Sequence, residues 1–399
     1  MRTIPATERA RTIEYAIRDV VVPARELERQ GHRILKLNIG DPVAYDFDTP
    51  QHIKDAHIEA IREGRNGYSP SYGIPSLLEA ISERERAQGC DVSPDDIVVG
   101  TGVTEMLMLL FGGMVSPGDE VLIPGPSYPP YTSYVRFYGG RPVPYRTVEE
   151  DGWQPDLDDM RAKITPRTRG ICVINPNNPT GALYDDGTIR RIADLAGEHG
   201  IPIISDEIYD RMTFERSSTP LARVAPDLPL IVLNGISKVY LAPGWRIGYA
   251  AFRDPDGSLS EVLDAVQRQA RARLCPSHPA QVAFEAALRG PQDHIARTNW
   301  ILRERRDAAL RRIDEIEGLS TCRPGGAFYM FPRIEAPTLR DDKAFVLDLL
   351  HRKHVLLVHG SGFCPTYGRG HFRLVFLPPV EVIDEAFDRV EEYLKERLS

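Results

Sequence analysis

The longest apolar stretch in this chain, Met106 to Val115, contains Gly112 and Gly113 and reaches only about half of the ~20 residues needed to span a bilayer. It reads as a buried helix, and no membrane segment is expected. A dominant charge is also missing. The chain carries 49 basic and 57 acidic residues, a net charge of −8 spread along its length, so neither a nucleic-acid groove nor a polybasic membrane patch is suggested. Cysteine is scarce. Cys90, Cys172, Cys275, Cys322 and Cys364 are odd in number, scattered and without a C-x-x-C pair. That excludes a disulfide framework and gives no thiolate metal site, so free thiols in a reducing cytosol and no metal are expected. The N-terminus has arginines but no apolar run, and Glu8, Glu14 and Asp19 interrupt it, against a secretory or organelle-targeting signal. Internal repeats and low-complexity segments are absent.

What is present is a chain of 399 residues, too long for one hydrophobic core and suited to two domains. From about 51 to 285, short apolar strands alternate with helical patterns. Expected strands are Ile97–Gly100, Glu120–Ile123, Gly170–Ile174, Pro202–Ser205, Ile231–Asn234 and Ile247–Ala251; expected helices cover 76–88, 104–114, 127–138 and 187–198. This alternation predicts βαβ units, an α/β fold with a mostly parallel sheet covered on both faces. From 286 to 399, a charged helix, short strands and a terminal helix predict a smaller α+β domain, which residues 1–50 are expected to join.

Ligands of such sheets bind outside the carboxyl ends of the strands, so the reactive side chains that matter stand just after each strand. Gly100-Thr101-Gly102-Val103-Thr104-Glu105 runs from a strand into a helix, whose free N–H groups and Thr104 hydroxyl suit a phosphate. Glu105 stands where a third glycine of G-x-G-x-x-G belongs, which disfavours a nicotinamide site. Taken alone, this segment reads better as an ordinary strand-to-helix turn. Asp206 closes the strand Ile203-Ile204-Ser205. A buried carboxylate there needs a cation, and a protonated pyridine nitrogen is one; a helix cap or an internal ion pair is the plainer alternative. Tyr209 lies close enough to bond a phenolate oxygen. Lys238 closes Asn234-Gly235-Ile236-Ser237, where poor solvation lowers a lysine pKa and frees the amine for Schiff-base chemistry. Ser237 and Arg246 offer a hydroxyl and a guanidinium fork to a phosphate. A snorkelling surface lysine is the alternative. In Asn175-Pro176-Asn177-Asn178-Pro179-Thr180-Gly181, two Asn-Pro steps force a rigid turn after a strand, with Asn178 as the expected donor. Each spot is ambiguous alone. Together they offer a phosphate cup, a pyridinium partner, a phenolate partner and an amine, which matches one cofactor, pyridoxal 5'-phosphate.

At this point the sequence resembles the fold-type-I aminotransferases of class I that use pyridoxal phosphate, and within them the alanine aminotransferase-like branch of archaea and bacteria. The resemblance runs over nearly the whole chain: YAIRD, LNIGDP, NGYSPSYGIPSLLEAI, PGPSYPPY, NPNNPTG, SDEIYD, LNGISKVYLAPGWRIGY, RPGGAFYMFP, HGSGF and HFRLVFLP, in the family's order. It implies that Lys238 carries the cofactor and shuttles the proton, that Asp206 pairs with the ring nitrogen, and that Tyr209 and Asn178 bond the ring oxygen. Tyr128 is implied to stack on the ring. Gly102, Val103, Thr104, Ser237 and Arg246 are implied to hold the phosphate, joined by Tyr68 from the neighbouring subunit of a homodimer. Arg373, with Gly40 and Asn178, is implied to hold the substrate α-carboxylate. Val103 fills a position often occupied by a smaller residue, a departure that a backbone N–H contact tolerates.

The implied reaction passes an amino group between an L-amino acid and a 2-oxo acid with ping-pong kinetics. The branch favours alanine with 2-oxoglutarate. Aspartate is a weaker expectation, because no second arginine is committed to a side-chain carboxylate. Tyr15, Tyr45 and Tyr128 leave open an aromatic or kynurenine donor. A β-lyase on the same scaffold would share every cofactor residue. A transcription regulator would need an added DNA-binding domain, and only 36 residues precede LNIGDP.

Overall fold

The computed structural model describes residues 2–11, 13 and 20–398. Tyr15, and with it the segment YAIRD, lies outside the described residues.

The chain builds β1 (Leu35–Lys36), β2 (Ile97–Gly100), β3 (Glu120–Gly125), β4 (Arg141–Val148), β5 (Gln154–Pro155), β6 (Thr168–Ile174), β7 (Ile203–Asp206), β8 (Leu230–Gly235) and β9 (Gly248–Arg253). All but β1 form one eight-stranded sheet in the order β2-β9-β8-β7-β6-β3-β4-β5. The run β8-β7-β6-β3-β4 is parallel throughout, while β9 lies antiparallel to both β2 and β8. Alternate residues of each strand feed two separate cores. Val99, Ile171, Ile203 and Val232 belong to one; Val98, Cys172, Ile204 and Ile231 belong to the other. A sheet buried on both faces reads as continuous apolar runs, which is why these strands were legible. The helix Val103–Met114 buries Met106, Leu107, Leu110 and Phe111 against the second core, as the apolar stretch predicted.

The strand β4 was not anticipated, because Pro142 and Pro144 argue against a strand interior. Over 141–146 it pairs only with β3; β5 joins at Thr147 and Val148. The two prolines share a parity, so their missing donors fall on one side of the strand, and proline is tolerated on the open side of an edge.

Beyond the helix Asp293–Glu315 come β10 (Leu319–Ser320), β11 (Tyr329–Met330), β12 (Arg333–Ile334), β13 (Val355–Leu356), β14 (Val358–His359) and β15 (Phe372–Val375), then the helix Val380–Leu398. The expected single strand VLLVHG divides at Leu357. Its first half pairs in parallel with β1 and its second half antiparallel with β15, which in turn pairs with β11. No helix is long and apolar enough to cross a membrane among the described residues. The five cysteines are free thiols, and Cys90, Cys172 and Cys364 are buried.

Candidate active site

The ends of β7 and β8, the turn after β6 and the turn after β2 open into one cavity of about 470 Å³, closed from the other side by the segment after β1 and by residues of β11 and β15. Lys238 follows β8 by three residues and lines this cavity, with Nζ donating to the Gly40 carbonyl at 2.7 Å and lying 5.5 Å from the Phe328 ring centre. Loss of hydration lowers its pKa to about 8; Asp41 opposes that shift, while Arg373 and Arg246 add to it.

Asp206, the last residue of β7, is buried. Desolvation raises its pKa to about 6, against hydrogen bonds from the Tyr131 hydroxyl to Oδ2 at 2.7 Å and from the Ile208 N–H to Oδ1 at 3.1 Å. Among the described residues no cation lies within ion-pairing distance, so the charged form lacks the partner that burial demands. The Tyr209 hydroxyl shares a hydrogen bond of 2.8 Å with the Tyr329 hydroxyl.

Where β2 passes into the helix Val103–Met114, Gly102 has φ +80° and Arg246 has φ +57°, both in the left-handed region. A Cβ on Gly102 would stand 2.5 Å from Arg246 Nη2, so only glycine lets the guanidinium lie against the start of this helix. Arg246 donates to the carbonyls of Pro243 at 2.9 Å and Thr101 at 3.4 Å, and no carboxylate pairs with it among the described residues. Val103, Thr104 and Ser237 also line the cavity. Glu105 turns away from that role: it accepts from the Thr101 N–H and from Arg273 Nη1, both at 2.6 Å.

Arg373 of β15 is 1% exposed, yet its guanidinium borders the cavity. Nη1 donates to Asn178 Oδ1 at 3.0 Å, Nη2 donates to the Asn38 carbonyl, and the group lies 4.7 Å from the Tyr329 ring centre and 4.8 Å from that of Phe363. With Oδ1 engaged, the amide end of Asn178 is left as donor toward the cavity it lines. The turn carrying Asn178 is docked by Gly181, whose carbonyl accepts from the N–H groups of Gly325 and Gly326 at 2.9 and 3.0 Å. Tyr128 and Gly40 line the cavity as well. Tyr68 does not; it is 85% exposed.

Three groups were not foreseen: Asp41 and Tyr329, which line the cavity, and Tyr131, buried behind Asp206. Tyr131 follows Tyr128 by three residues in PGPSYPPY; Tyr128 is extended and precedes the helix Pro129–Phe137, whose first turn carries Tyr131. Tyr329 stands inside RPGGAFYMFP, and Asp41 follows Gly40 in LNIGDP. A residue's partner across the fold carries no local signal, so only assembly revealed their contacts with Asp206, Tyr209 and Lys238.

Comparison with known proteins agrees with this geometry. A profile of the family "Aminotransferase class I and II" matches residues 32–390. The chain is 38% identical over 403 residues to "Glutamate-pyruvate aminotransferase AlaA" of Escherichia coli K12, covering 99% of this chain and 98% of the relative. It superposes with a TM-score of 0.96 on a solved alanine aminotransferase from Pyrococcus furiosus, at 57% identity and with 98% of this chain and 100% of that one covered. Aspartate aminotransferase of Thermus thermophilus with maleate gives a TM-score of 0.89 at 34% identity, with 98% and 100% covered. The fold is thus that of the fold-type-I aminotransferases, and the chain belongs to the class I and II aminotransferase family.

Proposed function

We propose that this aminotransferase works with pyridoxal phosphate and exchanges the amino group between alanine and 2-oxoglutarate, and so equally between glutamate and pyruvate. The observation that carries the cofactor assignment is the meeting, in one cavity, of three groups. They are an amine of lowered pKa, a buried carboxylate with no cation, and an arginine with no acid beside a helix start that only glycine leaves open. A cofactor with an aldehyde, a basic ring nitrogen and a phosphate satisfies all three. Lys238 would hold the aldehyde carbon, Asp206 the ring nitrogen, Tyr209 and Asn178 the ring oxygen, and Tyr128 the ring face. Gly102, Val103, Thr104, Ser237 and Arg246 would hold the phosphate.

When bound, this cofactor supplies an electron sink for the pair left as the substrate's Cα–H bond breaks. Arg373 grips the α-carboxylate, with the Asn178 amide and the backbone at Gly40 beside it, so the amino acid enters in one orientation. Lys238 Nζ takes the Cα proton as base and returns it as acid, and a pKa of about 8 suits both roles near neutrality. Tyr131 holds the Asp206 carboxylate in place through the bond to Oδ2. Two half-reactions on one site give ping-pong kinetics.

The alanine assignment is supported by the names of the Escherichia coli and Pyrococcus relatives. It is also supported by the cavity's cations, which are Lys238, Arg246 and Arg373 among the described residues, so none is left for an aspartate side chain. The Thermus neighbour keeps aspartate as the second reading. A homodimer in the cytoplasm is part of this proposal, and the exposure of Tyr68 suits a contact with the neighbouring site. Residues 51–285 are taken as the cofactor-binding domain. Residues 286–399 with 1–50 are taken as the smaller one, a division supported by the pairing of β1 with β13.

The test is a panel of amino donors against pyruvate and 2-oxoglutarate. Alanine with 2-oxoglutarate and glutamate with pyruvate should dominate. A faster rate with aspartate or an aromatic donor overturns the substrate assignment, and oxo-acid release without any acceptor would identify a lyase.

A further inference from the structure

Behind the turn that carries Asp206 and Tyr209 lies a second, buried group of ionisable side chains. At the end of a strand successive side chains point to opposite sides, so Asp206 borders the cavity while Glu207 is directed away from it. Glu207 is 5% exposed. Its Oε1 accepts from the Ser205 hydroxyl at 2.9 Å and from the Leu221 N–H at 3.4 Å. The Glu207 main chain is fixed as well: its N–H donates to the Leu233 carbonyl of β8 at 2.9 Å, and its carbonyl accepts from Asn234 Nδ2 at 2.8 Å and from the Asp210 N–H at 3.0 Å.

The helix Pro75–Ala87 packs against this turn and brings Arg84 and Glu85. Arg84 bonds Glu85, Asp210 and the Tyr249 hydroxyl of β9, and that hydroxyl donates to Glu85. Asp210 Oδ1 is buried with no hydrogen-bond partner. The charged or ionisable groups facing Glu207 are therefore Arg84, Glu85 and Cys90 from the helix and the loop after it and Asp210 from its own turn, with Tyr249 of β9 behind Arg84 and Glu85. Arg84 serves Glu85 and Asp210 already, and Arg253 of β9, beside Cys90, donates to the carbonyls of Ala222, Ala225 and Leu228, so among the described residues no cation pairs with Glu207.

We propose that Glu207 is a positioning residue for the reaction: by tying the turn to Ser205 and Leu221 from behind through its side chain, it sets the angle at which Asp206 and Tyr209 meet the cofactor. Burial and the charges of Glu85 and Asp210 raise its pKa to about 8, so the neutral acid is the form present at neutral pH. Above that, ionisation places a second uncompensated charge beside Asp210 and pushes the turn away from the helix. This inference rests on the pyridoxal phosphate reading of the cavity.

The test uses the full-length protein and its variants Glu207→Gln and Glu207→Ala, titrated with pyridoxal phosphate by visible absorbance between about pH 6 and pH 10. Circular dichroism checks the fold. Wild type should bind and then lose affinity as pH rises well above about 8. Glu207→Gln, which keeps the hydrogen-bonding shape and cannot ionise, should bind as wild type does at neutral pH and lose that alkaline decline. Glu207→Ala should bind roughly tenfold more weakly than wild type at neutral pH, as expected for a lost buried hydrogen-bonding group, and, having nothing to ionise, should likewise lack the alkaline decline. An alkaline decline in Glu207→Gln equal to that of wild type overturns the proposal, even where Glu207→Ala fails to fold. Wild type that develops no visible absorbance with pyridoxal phosphate instead overturns the cofactor reading itself, so the two failures are distinct.

Discussion

Two arginines reach the same cavity from different parts of the chain, and their surroundings differ. Arg246 lies eight residues after Lys238, half-buried, in left-handed backbone, and leans on the carbonyls of Pro243 and Thr101. Arg373 comes from β15, almost fully buried, gripped by Asn178 and Asn38 and set between the rings of Tyr329 and Phe363. The first is positioned by a loop close to its own strand end; the second is positioned by segments scattered over the chain. On the proposed reading, a permanently held phosphate would be served by a local cradle, and a substrate that must enter and leave by a clamp on the opposite wall, which a movement between the two parts could bring into register.

That division of labour can be broken by experiment. The largest effect is expected where both halves meet. Lys238→Ala should lower turnover by roughly a thousandfold or more, since the proton at Cα then has no base, and should abolish the visible absorbance of the bound cofactor. Retention of both would remove the site assignment. Next, Arg373→Ala should cut kcat/KM for amino acids by about a hundredfold while leaving pyridoxal phosphate affinity near wild type. Arg373→Lys should not restore it, because an ammonium cannot reproduce the fork. Arg246→Ala should do the converse, weakening cofactor binding roughly tenfold to a hundredfold with little change in KM for the amino acid. If each variant produced the other's phenotype, the two arginines would have been assigned to the wrong ends.

A pH experiment sharpens the comparison on the side of β8. Attachment needs the neutral amine, so its rate should rise with pH and level off above about 8. The sign follows from the folded-state pKa lying below the usual lysine value near 10.5. For the same reason Lys238 contributes stability to the cofactor-free protein that grows as pH rises from about 8 toward 10.5, and a thermal melt series would detect it. The smallest effect is expected from Tyr131→Phe. Losing the bond to Oδ2 should raise the Asp206 pKa further and weaken the cofactor by about threefold to tenfold.

Much of this was legible in the chain itself, for identifiable reasons. Strands β2, β6, β7 and β8 were found because a sheet covered on both faces demands unbroken apolar runs, and their carboxyl ends direct attention to Gly102, Asn178, Asp206 and Lys238. By contrast, β4 was hidden by Pro142 and Pro144, whose acceptability depends on an open edge. The split of VLLVHG was hidden because a strand's choice of partner is not written in its own residues.

The sequence by itself determined that an amine, a carboxylate and a glycine-opened turn into a helix lie at strand ends, because apolar periodicity fixes where strands stop and side-chain chemistry fixes what stands there. Tertiary structure alone decided that Tyr131 bonds Asp206, that Tyr329 shares the Tyr209 hydroxyl, and that Glu85, Asp210 and Arg84 surround Glu207. Apart from Asp210, three residues from Glu207, those partners stand far apart along the chain, and the burial that raises the pKa values of Asp206 and Glu207 exists only once the helices have closed over the sheet.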